Sequence, residues 1–295
     1  MSPLAAPPPP SAAATLAGLG AILLWSILAP LTAASGVVPP FEMAALTFAV
    51  GGGLGLAYAV ARGRLAALAQ PWRIWLLGVG GLFGYHALYF AALRLAPPAS
   101  ASLVAYLWPL LIVLFSALLP GEALRGRHVA GSLLGFGGAI ALFAGKGEAA
   151  PAAGAKLGYA LALGCAFVWS GYSVLSRLVR AAPSEAVAGF CLATSALAAL
   201  CHWAFEAPAA PADAAQWLAI LALGLGPVGI AFYVWDFGVK HGDIRLLGVA
   251  AYAAPVLSTL LLVLFGFASA TPALGLACLM IVAGALVASG WKRRR

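Results

Sequence analysis

The chain has 295 residues, of which 64% are hydrophobic and only 8% are charged, and its mean hydropathy is +1.02. A soluble globular domain carries about a quarter charged residues, so this composition leaves too few polar side chains to cover a surface in water. It excludes a soluble enzyme and predicts an integral membrane protein. The net charge of +8 does not indicate nucleic-acid binding, because the basic residues lie in short connections between apolar segments.

Apolar segments of about twenty residues follow one another along the chain, the length that crosses roughly 30 Å of hydrocarbon. Lipid permits only helices and closed barrels, and barrel strands would alternate over about ten residues. These segments do not alternate, so we predict an all-α protein with ten transmembrane helices. Their predicted bounds are 15–34, 41–61, 73–94, 98–119, 126–144, 157–178, 184–204, 215–237, 246–267 and 271–290.

The ends and connections of these spans predict the domain organisation. Residues 1–14 are rich in Pro and Ala and contain no Lys or Arg, which predicts a disordered cytoplasmic tail rather than a signal peptide. Residues 15–145 and 157–290 then form two five-helix units, and 291–295 form a basic cytoplasmic tail. The connections are short, which excludes a catalytic domain outside the membrane.

The basic residues predict the orientation. With a cytoplasmic N-terminus, thirteen of the sixteen Lys and Arg residues lie on the cytoplasmic side. The other three are Arg94, Lys146 and Lys156. Cytoplasmic loops of bacterial-type inner-membrane proteins carry such an excess, so we predict a multi-pass inner-membrane protein with both termini in the cytoplasm.

The second half of the sequence repeats features of the first. Trp25-Ser26 in span one corresponds to Trp169-Ser170 in span six. With an offset of 146 residues, the further matches are Gly78 with Gly224, Tyr89 with Trp235, Arg94 with Lys240, Tyr106 with Tyr252, and Pro109 with Pro255. Gly and Leu matches alone would be weak evidence here, but a repeated mid-helix proline with an aromatic residue three positions before it is more specific.

A repeat of five helices is inverted, because the second copy begins on the opposite side of the membrane. The two copies are then related by a pseudo-two-fold axis in the membrane plane. Such folds place the substrate site near the midplane at the repeat interface and support alternating access. The pattern therefore predicts a secondary transporter rather than a scaffold.

The same features carry a family resemblance. Trp25-Ser26, the prolines of spans four and nine, and Pro120-Gly121-Glu122 after span four resemble the drug/metabolite transporter superfamily. Within it the chain is similar to the EamA family, and most of all to YddG-like aromatic amino-acid exporters. The resemblance implies export of aromatic and other neutral amino acids through a central cavity. One departure is that residues 266–269 read Gly-Phe-Ala-Ser, where members often have a second Gly-Glu.

Polar and aromatic residues that lipid would not favour are the candidates for lining a path between the repeats. The candidates for substrate binding are Trp25, Ser26, Tyr85, His86, Tyr89, Tyr106, Trp108, Trp169, Tyr172, Tyr233 and Tyr252, with Trp235 beside them. The alternative for each aromatic residue is an interfacial belt or plain helix packing. Pro109 and Pro255 are predicted kinks, since proline frees a carbonyl one turn back.

Few ionisable residues lie within the predicted spans. His86 is the best candidate for a hydrogen bond to substrate, against the alternative of a structural histidine. Asp236 and Lys240 predict an ordinary helix pair, and Glu122 predicts a pair with Arg125 or Arg127. The absence of a mid-span acid predicts facilitated diffusion or exchange rather than proton-driven transport.

The partners expected are an amino-acid substrate and the lipid bilayer, with no nucleic acid, no cofactor and no metal. The four cysteines lie in apolar segments without metal-ligand spacing, and nothing demands an oligomer, so we expect a monomer.

An intramembrane enzyme would need a paired catalytic set that the sequence lacks. A channel or structural subunit would lack the inverted repeat. A nucleotide-sugar carrier would need basic residues near mid-span. The exact substrate, the direction of flux and any coupling ion are left open.

Overall fold

The computed structural model describes residues 10–120, 124–143, 154–265 and 269–289, and all of their regular structure is helical. The first helices are α1 (Ala12–Ser26), α2 (Leu28–Ala34), α3 (Pro40–Ala61), α4 (Trp72–Leu95), α5 (Pro98–Ala105), α6 (Trp108–Ser116) and α7 (Gly126–Phe143). The remaining helices are α8 (Ala155–Ser176), α9 (Val187–Phe205), α10 (Ala214–Leu225), α11 (Ala231–His241), α12 (Ile244–Ala250), α13 (Ala253–Leu264) and α14 (Pro272–Ser289). Short 3-10 turns cover Leu65–Leu68, Arg177–Val179 and Ser184–Ala186, and a π-helix covers Gly226–Ile230.

Eight helical segments among the described residues, some of them interrupted, are long and apolar enough to cross a membrane. They are Ala12–Ala34, Pro40–Ala61, Trp72–Leu95, Ala155–Val179, Ser184–Phe205, Ala214–His241, Ile244–Leu264 and Pro272–Ser289. A shorter apolar segment, Ser100–Ser116, and α7 lie between the third and fourth of them. The chain is therefore an all-α, multi-pass membrane protein.

The first helix begins earlier than the sequence indicates. The Ser11 hydroxyl accepts a hydrogen bond from the Ala14 amide at 3.3 Å, and the Ser11 amide donates to the His241 carbonyl at 2.8 Å. This cap starts α1 at Ala12, so the prediction of a disordered tail over 1–14 is wrong for residues 12–14. Residues 1–9, Glu122 and 291–295 lie outside the described residues.

Several spans are interrupted near their middle. Two residues, 106–107, separate α5 from α6, and 251–252 separate α12 from α13. Pro109 and Pro255 follow these interruptions by two or three residues. Since proline has no amide hydrogen, neither can bond the carbonyl four residues earlier. The π-helix, which contains Pro227, interrupts another span between α10 and α11.

The helices pack as four main pairs: α3 with α9, α7 with α14, α1 with α11, and α4 with α8. Small residues allow the backbones to come close, as in other membrane helix pairs. A Cβ on Gly238 would lie 2.7 Å from the Gly18 Cα, and a Cβ on Gly284 would lie 2.6 Å from the Gly131 carbonyl oxygen. The α1–α11 and α4–α8 pairs, together with α3, border a space near the centre of the molecule.

Candidate functional site

A cavity of about 440 Å³ lies between the two halves of the chain. Its wall is made by residues of α1 to α6, α8, α10, α11, α13 and the π-helix. At one end it reaches Thr32, Gly36 and Pro40, which are exposed, so the cavity is open on the side of the α2–α3 connection. At the other end it stops at a group of tryptophans.

Trp25, Trp108 and Trp169, from three helices, form the closed end of the cavity, and the buried Trp235 of α11 packs against them. The ring of Trp25 lies 6.2 Å from that of Trp108, 5.8 Å from that of Trp169 and 5.0 Å from that of Trp235 between centroids. Most of these rings meet edge to face, an arrangement worth about 0.5–1.5 kcal/mol per pair beyond burial. We call Trp25, Trp108, Trp169 and Trp235 the tryptophan cluster.

Hydrogen bonds fix the indole groups of this cluster. The Trp25 Nε1–H donates to the carbonyl of Pro227 at 3.1 Å, and the Trp235 Nε1–H donates to the Ser173 hydroxyl at 3.1 Å. The Pro227 carbonyl belongs to the π-helix, and such bulges occur frequently at functional sites. The cluster is thus held by both halves of the chain.

Aromatic residues of α4 cover one side of the cavity. Tyr85 packs 5.4 Å from Trp169 between ring centroids, and the Tyr89 hydroxyl is 2.8 Å from the Ser102 hydroxyl. His86 lies between them, with its Nδ1 2.7 Å from the Leu82 carbonyl. A carbonyl only accepts, so Nδ1 carries the hydrogen, and in a neutral ring Nε2 is then a free acceptor.

Seven of the eleven candidate binding residues lie in the cavity wall. They are Trp25, Tyr85, His86, Tyr89, Tyr106, Trp108 and Trp169. They come from four separate spans, so the fold brings together residues that are up to 144 positions apart in the sequence.

Four candidates do not line this cavity, and each has another partner. The Ser26 hydroxyl donates to the Leu23 carbonyl at 2.6 Å within α1. Tyr172 is buried below Trp169 and points its hydroxyl towards Asp236 at 3.5 Å. Neither side chain lines this cavity, since local bonding and helix phase turn both away from it.

Tyr233 and Tyr252 face other elements. The Tyr233 hydroxyl donates to the Gly51 carbonyl at 3.0 Å and belongs to a second cavity. The Tyr252 hydroxyl accepts from the Leu110 amide at 3.2 Å, and its ring packs where Gly135 leaves space. Both were predicted in the central path, and the structure places both outside it. Pro109 and Pro255 are buried at the helix interruptions already described.

Phe48 and Phe232 are two of the three phenylalanines of the cavity wall, none of which was predicted from the sequence. The rings of Phe48 and Phe232 stack at 5.5 Å with an interplanar angle of 8°. The Phe48 ring also meets that of His86 at 5.0 Å. Phenylalanine is common in any membrane helix, so the sequence carries no signal that separates these two from the rest.

A set of buried polar side chains lies beyond the tryptophan cluster, on the side away from the cavity opening. Lys240 and Asp236 form an ion pair at 2.7 Å and are only 3% and 1% exposed. The Ser184 hydroxyl donates to Asp236 at 2.6 Å, and the Lys240 ammonium donates to the Ala182 carbonyl at 3.0 Å. The helix pair predicted from the sequence is present, and it also ties α11 to the α8–α9 connection.

The cavity wall itself contains no Asp, Glu, Lys or Arg among the described residues, and His86 is its one ionisable imidazole there. Within the same part of the chain, no three His, Cys, Asp or Glu side chains are grouped to hold a metal ion. An uncharged, aromatic space of this size suits a flat, weakly polar molecule, since small-molecule pockets usually measure about 300–1,000 Å³.

Comparison with known proteins identifies the family. The model of the EamA-like transporter family matches residues 12–144 and again 156–290. The chain belongs to the EamA-like transporter family. A protein of Ancylobacter novellus named aromatic amino acid exporter YddG is 59% identical over 283 residues, which cover 95% of this chain and 98% of that protein.

More distant EamA-like relatives bear the same name. The aromatic amino acid exporter YddG of Salmonella typhimurium is 28% identical over 96% of this chain and 98% of that protein, and the one of Escherichia coli is 26% identical over 93% and 96%. A solved crystal structure is similar with a TM-score of 0.91 and 59% identity, covering 96% of this chain and 98% of that one. These matches extend over nearly the whole EamA-like chain.

Proposed function

We propose that this chain exports aromatic and other neutral amino acids across the inner membrane by alternating access through the central cavity. The observation that carries the proposal is the cavity of about 440 Å³ that ends on the tryptophan cluster and has no charged side chain among its described lining residues. Aromatic rings favour a flat apolar side chain by stacking and edge contacts. The names of three EamA-like relatives support the same class of substrate.

The ten-helix inverted repeat is part of the proposal, and the helix pairing supports it. A two-fold relation that exchanges the halves maps α3 onto α9 and α7 onto α14, and each of these helices packs on its own counterpart. The same relation exchanges the α1–α11 pair with the α4–α8 pair, and both pairs are present. The two separate family matches also agree with two units. Cytoplasmic termini follow from the distribution of basic residues.

A nucleotide-sugar substrate is less favoured. Its phosphates would need Arg or Lys in the cavity, and none lines it among the described residues.

The cavity wall also has no Asp or Glu among the described residues, which supports exchange or facilitated diffusion rather than proton-driven transport. A steep dependence of flux on an imposed pH gradient would contradict this mode of transport.

Flux from liposomes that contain the purified protein tests the substrate. We expect saturable transport of labelled phenylalanine and tryptophan but not of lysine or glutamate. Trp108→Ala or Trp169→Ala should reduce the flux by about tenfold or more, because each removes two or more ring contacts of about 0.5–1.5 kcal/mol. Trp203→Ala is the matched control, since Trp203 is 85% exposed and lies outside the cavity wall.

Two outcomes would overturn parts of the proposal. Absence of flux for every amino acid would leave the family membership in place and remove the amino-acid substrate. Equal losses in Trp108→Ala and Trp203→Ala would remove the assignment of the cavity while keeping the substrate.

A further inference from the structure

A second cavity, of about 630 Å³, lies between α3, α11 and the α8–α9 connection. We call it the lateral groove. None of its lining residues belongs to the central cavity. Tyr233 forms part of its wall, packed over Gly55 with its hydroxyl bonded to the Gly51 carbonyl. Transport through the central cavity, as proposed above, does not use this groove.

One end of the lateral groove is basic. Arg64, Arg180 and His241 line it together with a single carboxylate, Glu185. Arg64 pairs with Glu185, which neutralises one guanidinium. Arg180 is only half exposed, and within the described chain it has neither a hydrogen-bond acceptor nor a carboxylate partner. A guanidinium in a half-buried groove without a counter-charge favours an anionic ligand.

The rest of the groove is apolar and faces outward. Leu54, Tyr58, Ile230 and Phe237 line it, and each is exposed. In a chain that spans a membrane, exposed apolar side chains on the spans contact lipid. Leu54 lies seven residues before the end of α3, so the apolar part extends about 10 Å from the membrane surface at 1.5 Å per residue.

We propose that the lateral groove binds one anionic phospholipid. Its phosphate would contact Arg180 at the basic end, and an acyl chain would lie along the apolar wall. The basic end lies where the positive-inside rule places the cytoplasmic leaflet, whose lipids carry negative charge. Basic pockets between membrane helices on that side are known binding sites for such head groups.

Native mass spectrometry of the purified full chain tests this site. The protein is mixed with phosphatidylglycerol or with phosphatidylcholine of the same acyl chains, and the lipid that stays bound is counted. We expect one phosphatidylglycerol to be retained in preference to phosphatidylcholine. Arg180→Gln should weaken its retention by about tenfold, the factor that corresponds to about 1.4 kcal/mol, and Arg180→Lys should restore part of it.

Arg73→Gln is the matched control, because it removes the same charge from an exposed residue on the same predicted side but outside the groove. Equal retention of both lipids, or equal losses in Arg73→Gln and Arg180→Gln, would overturn the proposal. Displacement of the lipid by inorganic phosphate would identify a free-anion site instead. The readout is binding, so it is independent of the proposed substrate, and monodisperse elution of each variant excludes misfolding.

Discussion

His86 is the side chain of the cavity wall whose chemistry differs most from its aromatic neighbours. Its Nδ1 donates to the Leu82 carbonyl, which leaves Nε2 to accept from a substrate ammonium group. A hydrogen bond to a charged group contributes about 1.5–3 kcal/mol, so His86→Phe should raise the KM for phenylalanine by about tenfold or more.

His86→Gln is the companion variant, because its amide oxygen can accept in place of Nε2. We expect it to keep a KM closer to that of the parent chain. The measurement is concentration-dependent uptake into liposomes for both variants. A His86→Phe variant with an unchanged KM would mean that the histidine packs against Phe48 and does not contact substrate.

At the residue scale, the sequence indicated the aromatic character of the cavity better than it indicated which residues line it. Trp25, Trp108 and Trp169 lie at its closed end, as expected for aromatic residues near mid-span. Tyr106 and Tyr252 occupy matching repeat positions, yet only Tyr106 lines the cavity. The direction of a side chain depends on helix phase and on a neighbouring gap such as the one at Gly135, and neither is encoded in the repeat.

The backbones of α7 and α14 approach closely at Gly131 and Gly284. A Cβ on Gly131 would lie 2.5 Å from the Gly284 carbonyl oxygen and 2.8 Å from the Ala288 Cβ. Gly131→Ala therefore forces two backbones apart, a form of overpacking that costs about 1–3 kcal/mol. We expect the thermal midpoint in detergent to fall by about 2–10 °C.

Gly275→Ala, on α14, serves as the control for Gly131→Ala. A Cβ at Gly275 meets nothing within 4 Å, so its thermal midpoint should stay the same or rise slightly, since alanine favours helix. If both variants lowered the midpoint equally, the close packing of α7 on α14 would not be what limits stability.

At the element scale, span positions were predictable because length and hydropathy determine them directly. The helices are interrupted just before Pro109 and Pro255, where the sequence predicts kinks because proline removes a backbone donor. The π-helix at Gly226–Ile230 was not predicted, because a single proline in a glycine-rich segment is compatible with a kink, a break or a bulge. Gly229 of this segment lies against Gly51 of α3, a contact between distant parts of the chain that the sequence does not reveal.

For the whole molecule, the two ends of the path differ although their residues match. Lys240 is buried in an ion pair, whereas its repeat counterpart Arg94 is 48% exposed and pairs with Glu206 at 2.8 Å. The central cavity is thus closed towards Lys240 and open towards Arg94. Under the proposed alternating access, a chain with two related halves adopts both arrangements, and two such states typically differ by about a few kcal/mol, so the sequence alone could not predict which one the structure adopts.

Asp236 and Lys240 pair within α11, and their bonds to the Ser184 hydroxyl and the Ala182 carbonyl are contacts that opening of the closed side would break. Lys240→Met leaves the carboxylate of Asp236 buried without its ammonium partner, which costs about 3–5 kcal/mol in the closed state. A shift of about 5.5 kcal/mol would reverse a 99:1 equilibrium between the closed and open states, and this cost approaches that value. We therefore expect Lys240→Met to expose the closed side. The double change Asp236→Leu with Lys240→Met should restore closure, because an apolar pair of similar volume replaces a buried ion pair at little cost.

Alkylation of a cysteine placed at Ala182 measures this opening. Ala182 is only 6% exposed although it borders the lateral groove, and its carbonyl accepts from Lys240, so the new thiol is largely shielded while the closed side is intact. The four native cysteines are first replaced, and a membrane-impermeant reagent is added from the side of the α8–α9 connection. We expect alkylation to be about tenfold faster or more in Lys240→Met and to return to the slow rate in the double variant. Equal rates in all three proteins would show that the ion pair does not hold this side closed. A fast double variant would show that closure requires the polar bonds from Asp236 and Lys240 to Ser184 and Ala182, which an apolar pair does not replace.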